Sequence, residues 1–153
     1  MCLYTQQKTA EIAKKNITVY KTVYITEQPE LIISSVMKFF RYKVGFSYKE
    51  SCWDDRSTTF RPSLHKTVYY GFHSYVKYWD AARICGTNEA VLKCVIPKGT
   101  KYFLGEDGTG DKNYCSEELR VVAYKLNGLG DWYVKPGVKY TRKSEKKTRK
   151  KPE

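Results

Sequence analysis

The side chains able to do chemistry in this chain of 153 residues are few and scattered. They are two histidines, His65 and His73, five cysteines (Cys2, Cys52, Cys85, Cys94 and Cys115), and the adjacent carboxylate pairs Asp54-Asp55 and Glu117-Glu118. His73 stands in "GFHSYVKYWDAARICG", where a Gly-Phe turn gives way to an aromatic segment with helical spacing. The amide groups at the start of a helix disfavour a protonated ring, so an imidazole there is neutral and able to donate or accept a hydrogen bond. The commoner use of such a histidine is to fix its own turn through the backbone, and that is the expectation for His73. His65, in a stretch rich in turn formers, reads as solvated.

Metal binding requires ligands that converge, and no two cysteines have the short separation that lets thiolates share one zinc. A cluster of Cys85, Cys94, Cys115 and His73 is conceivable but not indicated, since a reduced cysteine is usually a small buried hydrophobe. The run Glu106, Asp107, Asp111 and Asn113 lacks the EF-hand order and its closing bidentate glutamate. Neighbouring carboxylates on a strand point to opposite faces and make poor acid and base partners. No phosphate loop, nucleophile elbow or His-Glu-x-x-His motif occurs. No catalytic residue, metal or cofactor is therefore expected. One alternative keeps a small nucleotide in a pocket of His73, Tyr69, Tyr70 and Glu117.

Charge offers a stronger pattern. Lys139, Arg142, Lys143, Lys146, Lys147, Arg149, Lys150 and Lys151 stand against only Glu145 and Glu153, which puts +6 of the net +12 on the last fifteen residues. After Val138 the segment offers only Tyr140 for burial, too little to offset the entropy of ordering it. Residues 135–153 therefore read as a disordered basic arm. Such an arm neutralises phosphates and releases their counterions, and Arg41, Lys43, Arg56 and Arg61 beside Tyr42, Trp53 and Phe60 would add stacking. The same charge suits an acidic protein surface or an anionic membrane, and a basic tail also serves simply to solubilise.

The elements that must position these residues read as follows. Residues 1–16 form a loosely ordered lead-in. "ITVYKTVYI" (17–25) is dense in β-branched and aromatic residues and reads as a strand. Residues 29–40 read as a second helix, with Ile32, Ile33, Val36, Met37 and Phe40 on one face, or as a strand through Leu31, Ile33 and Ser35. A strand pair turning at Gly45 follows, then a long loop over 51–66 containing Pro62. A firm helix is expected from about Ser74 to Ile84, capped by Ser74 and ended by Gly86, with Tyr75, Tyr78, Trp79 and Ala82 packing on the sheet. Strands at 90–97, 100–104 and 118–126 flank a loop at 105–113. Runs of strands around one helix, without βαβ alternation, predict an α+β domain over 17–134 with a small, mainly antiparallel sheet. Aromatic residues at 15% predict a ring-rich, partly wet core. An odd cysteine count, no apolar signal segment and no run of eighteen apolar residues point to a reduced, cytoplasmic setting without a membrane span.

The segments "FRYKVGFSYKE", "GFHSYVKYWDAARI" and "NYCSEELRVVAYKL" together resemble a group of small phage and prophage proteins of unknown function. They share a Tyr-x-Val-Gly-x-x-Tyr element, a Gly-Phe-His segment and a closing Ser-x-x-Leu-x-Val-Val strand, over roughly residues 40 to 126. This resemblance implies a phage origin, a host cytoplasmic or virion location, and no particular activity. Ile17 to Lys21, Phe72 to Ser74 and Ile96 to Thr100 also resemble the outline of the ADP-ribosyltransferase fold. The first strand here has no arginine or histidine to hold a dinucleotide, and Ser116-Glu117-Glu118 departs from the Glu-x-Glu spacing.

The reading that results is a non-enzymatic accessory or virion-associated protein that binds nucleic acid or an acidic partner through its basic arm. A nucleotide pocket near His73, in an enzyme or a ligand sponge, and a purely structural virion component are the alternatives.

Overall fold

The computed structural model of the protein describes residues 3–7, 9–25, 41–50 and 71–143 in full, and residues 33–35, 58–60 and 66–68 by their backbone. In chain order the strands are β1 (Leu3–Thr5), β2 (Glu11–Ile12), β3 (Ile17–Ile25), β4 (Ile33–Ser35), β5 (Arg41–Tyr42), β6 (Ser47–Lys49), β7 (Thr58–Phe60), β8 (Lys66–Val68) and β9 (Phe72–Tyr75). After the helix α1 (Tyr78–Arg83) come β10 (Glu89–Ile96), β11 (Lys101–Glu106), β12 (Lys112–Ser116), β13 (Glu118–Leu126), β14 (Tyr133–Lys135) and β15 (Val138–Lys139).

The long strands β3, β10 and β13 form an antiparallel ladder with β10 in the middle. Alternation decides what each face does. Val19 and Val23 of β3, Ala90, Leu92, Cys94 and Ile96 of β10, and Leu119 and Val121 of β13 face one apolar core. Between β10 and β13 the register shifts at Lys93/Cys94, pairing Lys93 with Ala123 but Cys94 with Val121. The residue skipped is Val122. This bulge reverses the parity of β13, so Tyr124 on one side of it and Val121 on the other both face the core.

Segment 41–49 then closes the ladder. Its start, β5, pairs with β4, which itself lies on β3, and its end, β6, pairs with the outer edge of β13. Gly45, at φ 95, makes the turn between them and donates its amide to the Val121 carbonyl at 2.9 Å. The strand path thus returns on itself, with Tyr42 and Tyr48 filling the interior edge to face at 5.3 Å. β5 and β6 turn at Gly45 as expected, but they pair outward to different strands rather than with each other.

The remaining strands run β9-β12-β11-β1-β8-β7, with β2 beside β11. This half joins the ladder through one residue pair, Tyr20 with Tyr75. Its own small core is Leu3, Phe103 and Cys115, all fully buried. Residues 3–5, expected in a loose lead-in, are therefore a strand between β8 and β11.

The α+β expectation is corrected. Strand accounts for 54% and helix for 8%, no helix among the described residues reaches seven residues, and the fold is a mostly antiparallel sheet. The firm helix expected at 74–84 shrinks to Tyr78–Arg83, because Phe72–Tyr75 pairs with β12 instead and buries all four residues. The residue before the helix is Lys77, without a side-chain cap, so Ser74 is not the cap. Within the second expected helix, 29–40, the described residues 33–35 are strand β4, and the rest lies outside the described residues. Thr58–Phe60, expected in the loop 51–66, is strand β7. Among the described residues no helix is long and apolar enough to cross a membrane.

Candidate nucleic-acid interface

The outer face of the ladder carries a different set of residues from its core. Register places Tyr20 opposite Lys93 and Val91 opposite Lys125, all on the side away from Leu92 and Cys94. Over this face lies α1, held by the Thr22 hydroxyl donating to the Ala81 carbonyl at 2.6 Å and by the Tyr78 hydroxyl donating to the Gly128 carbonyl at 2.6 Å. Tyr75, Ala81 and Val91 form the buried floor, with Tyr20, Tyr78 and Trp132 packed around it. The β14–β15 hairpin brings the other side, where the Tyr140 amide donates to the Trp132 carbonyl at 2.9 Å.

Rings and ammonium groups alternate across the result. Lys93 stands over Tyr140 at 4.5 Å and Trp132 at 5.8 Å, and Lys125 stands over Tyr78 at 4.5 Å and Trp132 at 4.6 Å. Tyr78 meets Tyr20, Trp132 and Trp79 edge to face at 5.2 to 5.7 Å. Ring quadrupoles attract these cations but do not cancel their charge. Burial, with Tyr78 nearby, pushes the Tyr20 hydroxyl above its usual range, so it stays a neutral donor. Trp79, expected to pack on the sheet, is instead 75% exposed at the rim.

The basic segment leaves from this surface. Lys139 sits on β15 and pairs with Asp131 at 3.1 Å, and Arg142 and Lys143 are exposed where the described residues end. Lys146, Lys147, Arg149, Lys150 and Lys151 lie outside the described residues, as do Tyr69 and Tyr70. Arg41 is exposed, but its neighbour Tyr42 is buried in the core and offers no face for stacking.

Of the alternative pocket of His73, Tyr69, Tyr70 and Glu117, the described residues include His73 and Glu117. His73 lies in β9, directly opposite Cys115 of β12, with its Nε2 3.7 Å from the Cys115 Sγ. Its carbonyl accepts from the ammonium of Lys21. Helix α1 begins five positions later, so the helix-start electrostatics foreseen for His73 do not apply. Cys115 has no exposed surface, which denies a substrate access to its thiol. Burial also pushes the Cys94 thiol up to about 12, against the opposing charge of Lys21. Glu117 occupies the corner between β12 and β13, 3.8 Å from Lys49, and donates its amide to the Lys101 carbonyl at 3.0 Å. Asp107 and Asp111 stabilise their own turn: the Asp107 carboxylate accepts from the amides of Thr109 and Asp111, and Asp111 pairs with Arg83 at 2.9 Å. Among the described residues no group of three His, Cys, Asp or Glu converges on a metal position.

Comparisons of the chain with protein-family models, with curated proteins and with solved structures find no match. Sequence reasoning missed Lys93, Lys125, Trp132 and Tyr140 as a group. Strand alternation alone places Lys93 and Lys125 off the core, but their juxtaposition depends on the β10–β13 register, which the bulge sets.

Proposed function

We propose that the protein is a non-enzymatic accessory protein that binds nucleic acid, with the basic C-terminal segment and the lysine-aromatic face of the ladder acting as one surface. The observation that carries this reading is the placement of Lys93 and Lys125 over Trp132, Tyr78 and Tyr140 on the face from which the basic segment departs. Phosphate neutralisation by Lys and Arg supplies the affinity, and aromatic rings beside the cations suit nucleobases better than an acidic protein surface. A phage origin, drawn from the resemblance over residues 40–126, fits such an accessory role.

The test is binding to a labelled oligonucleotide over a salt series, with full-length protein and a chain ending at Lys143. Cutting earlier would remove Tyr140, which packs under Lys93. The shorter chain lacks Lys146, Lys147, Arg149, Lys150 and Lys151 and should bind more weakly. Its slope of log K against log salt should fall by about 0.7 for each single-strand phosphate that is no longer neutralised, or about 3.5 if all five cations act. An unchanged slope would remove the arm from the account.

A further inference from the structure

Among the described residues the most exposed large ring is Trp79, at the rim of the lysine-aromatic face. Trp79 is 75% exposed, whereas Tyr20, Tyr78 and Trp132 are partly buried and turn their faces or edges to one another and to the two ammonium groups. Trp79 nonetheless belongs to the same array, with its ring 5.2 Å from Tyr78 and tilted 62° to it. An open ring beside anchored cations matches a base stacked on an indole with its phosphate on an ammonium. Bases inside a duplex are already stacked on their neighbours and present only their edges and backbone to a protein. Unpaired bases can turn out onto a side chain.

We infer that this surface selects single-stranded over double-stranded nucleic acid, with Trp79 as the stacking residue and Lys93 and Lys125 as the phosphate contacts beside it. The inference rests on the nucleic-acid reading above and adds the strand class and the residue that determines it. Charge favours this occupant over an apolar protein partner: the face holds Lys93 and Lys125, the adjoining hairpin Lys135 and Lys139, and the chain carries a net +12. Asp80 pairs with Arg83 and Asp131 with Lys139.

The experiment measures binding of a mixed-sequence single-stranded DNA, its RNA counterpart and a duplex of the same length at one salt concentration, by anisotropy and by tryptophan quenching. The proteins are wild type, Trp79→Ala and Trp79→Phe, all full length. The single strands should bind more tightly than the duplex. Trp79→Ala should weaken single-strand binding roughly 5- to 100-fold and leave duplex binding unchanged, while Trp79→Phe keeps most of the affinity. Because the ring is exposed, neither change should alter the thermal midpoint, which controls for unfolding. Equal binding of strands and duplex, or no effect of Trp79→Ala while arm-dependent binding persists, overturns the single-strand assignment and leaves the nucleic-acid reading standing. Binding of neither polymer overturns both, and self-association abolished by Trp79→Ala would then reassign the ring to a protein contact.

Discussion

Gly105→Ala should be among the most damaging single-methyl changes in the protein. A Cβ at Gly105 would lie 2.2 Å from the carbonyl oxygen of Tyr4, 2.8 Å from its carbonyl carbon and 3.1 Å from the Leu3 Cγ. The first two atoms are backbone of β1 and cannot swing aside, so the strand itself must shift. Alanine has a countervailing advantage, up to about 1 kcal/mol, because it restricts the unfolded chain more than glycine does. Overpacking costs about 1–3 kcal/mol. If β1 lifts away, the fully buried Leu3 forfeits about 1.5–3 kcal/mol of apolar burial. The bond from the Thr5 hydroxyl to the Leu104 carbonyl, at 2.6 Å, goes with it, worth about 1 kcal/mol. The steric penalty wins, with a net destabilisation of about 2–4 kcal/mol. Urea unfolding should show the midpoint falling by roughly 1–2 M. Hydrogen exchange at Leu3 to Thr5 should accelerate more than in β10. A double mutant with Leu3→Ala separates the two routes, since Leu3→Ala costs little extra where β1 has already detached. Wild-type or greater stability in Gly105→Ala would refute the close approach of β1 to β11.

Two further outcomes follow from the core and the outer face. Burial raises the Cys94 thiol from 9.0 to about 12, and burial with the nearby Asp107 raises the Tyr75 hydroxyl from 10.0 to about 12. Both groups are neutral when protonated, so their contribution is whole below about pH 9 and is lost as pH rises from there towards about 12; urea midpoints that stay level from pH 8 to 11 would contradict it. Trp132→Leu removes the cation–ring interactions with Lys93 and Lys125 and the ring packing against Tyr20 and Tyr78, and should cost about 1–3 kcal/mol in thermal or urea unfolding. A change under about 0.5 kcal/mol, the size of an ordinary surface substitution, would show the array to be energetically idle.

Much of the sheet is legible in local composition. Ile17–Ile25, Glu89–Ile96 and Glu118–Leu126 are rich in β-branched or aromatic residues, Lys101–Glu106 carries Tyr102 and Phe103, and β10 and β13 are buried on both faces over much of their length. The expected helix overreaches because Tyr75, Tyr78 and Ala82 do meet around one apolar floor, as helical spacing implies, but Tyr75 reaches it from a strand. Periodicity registers the contact and not the element that supplies it. Very short strands such as Leu3–Thr5 carry no internal pattern, and their pairing is fixed by partners as distant as Glu106. The basic arm is visible as charge alone. The ring and ammonium array is not, since Tyr20, Lys93, Lys125 and Trp132 come together only through register, a bulge and a hairpin.

The pairing of β1 with β11 also sets an order of events during synthesis. Tyr4 waits for Glu106, and Ile17–Ile25 for Glu89–Ile96, so the first strands made gain one of their two neighbours only late in synthesis. At about 5–20 residues per second the ribosome needs roughly 5–20 seconds to supply them. Through that interval the edge of "ITVYKTVYI" that will meet β10 stays unpaired, and its other edge has only the short β4 beside it until β9 is made, in a segment whose composition favours intermolecular pairing. Lys21 interrupts it at the centre. The ammonium that ends on the carbonyl of His73 in the finished fold is, until then, the charge that keeps neighbouring nascent chains apart.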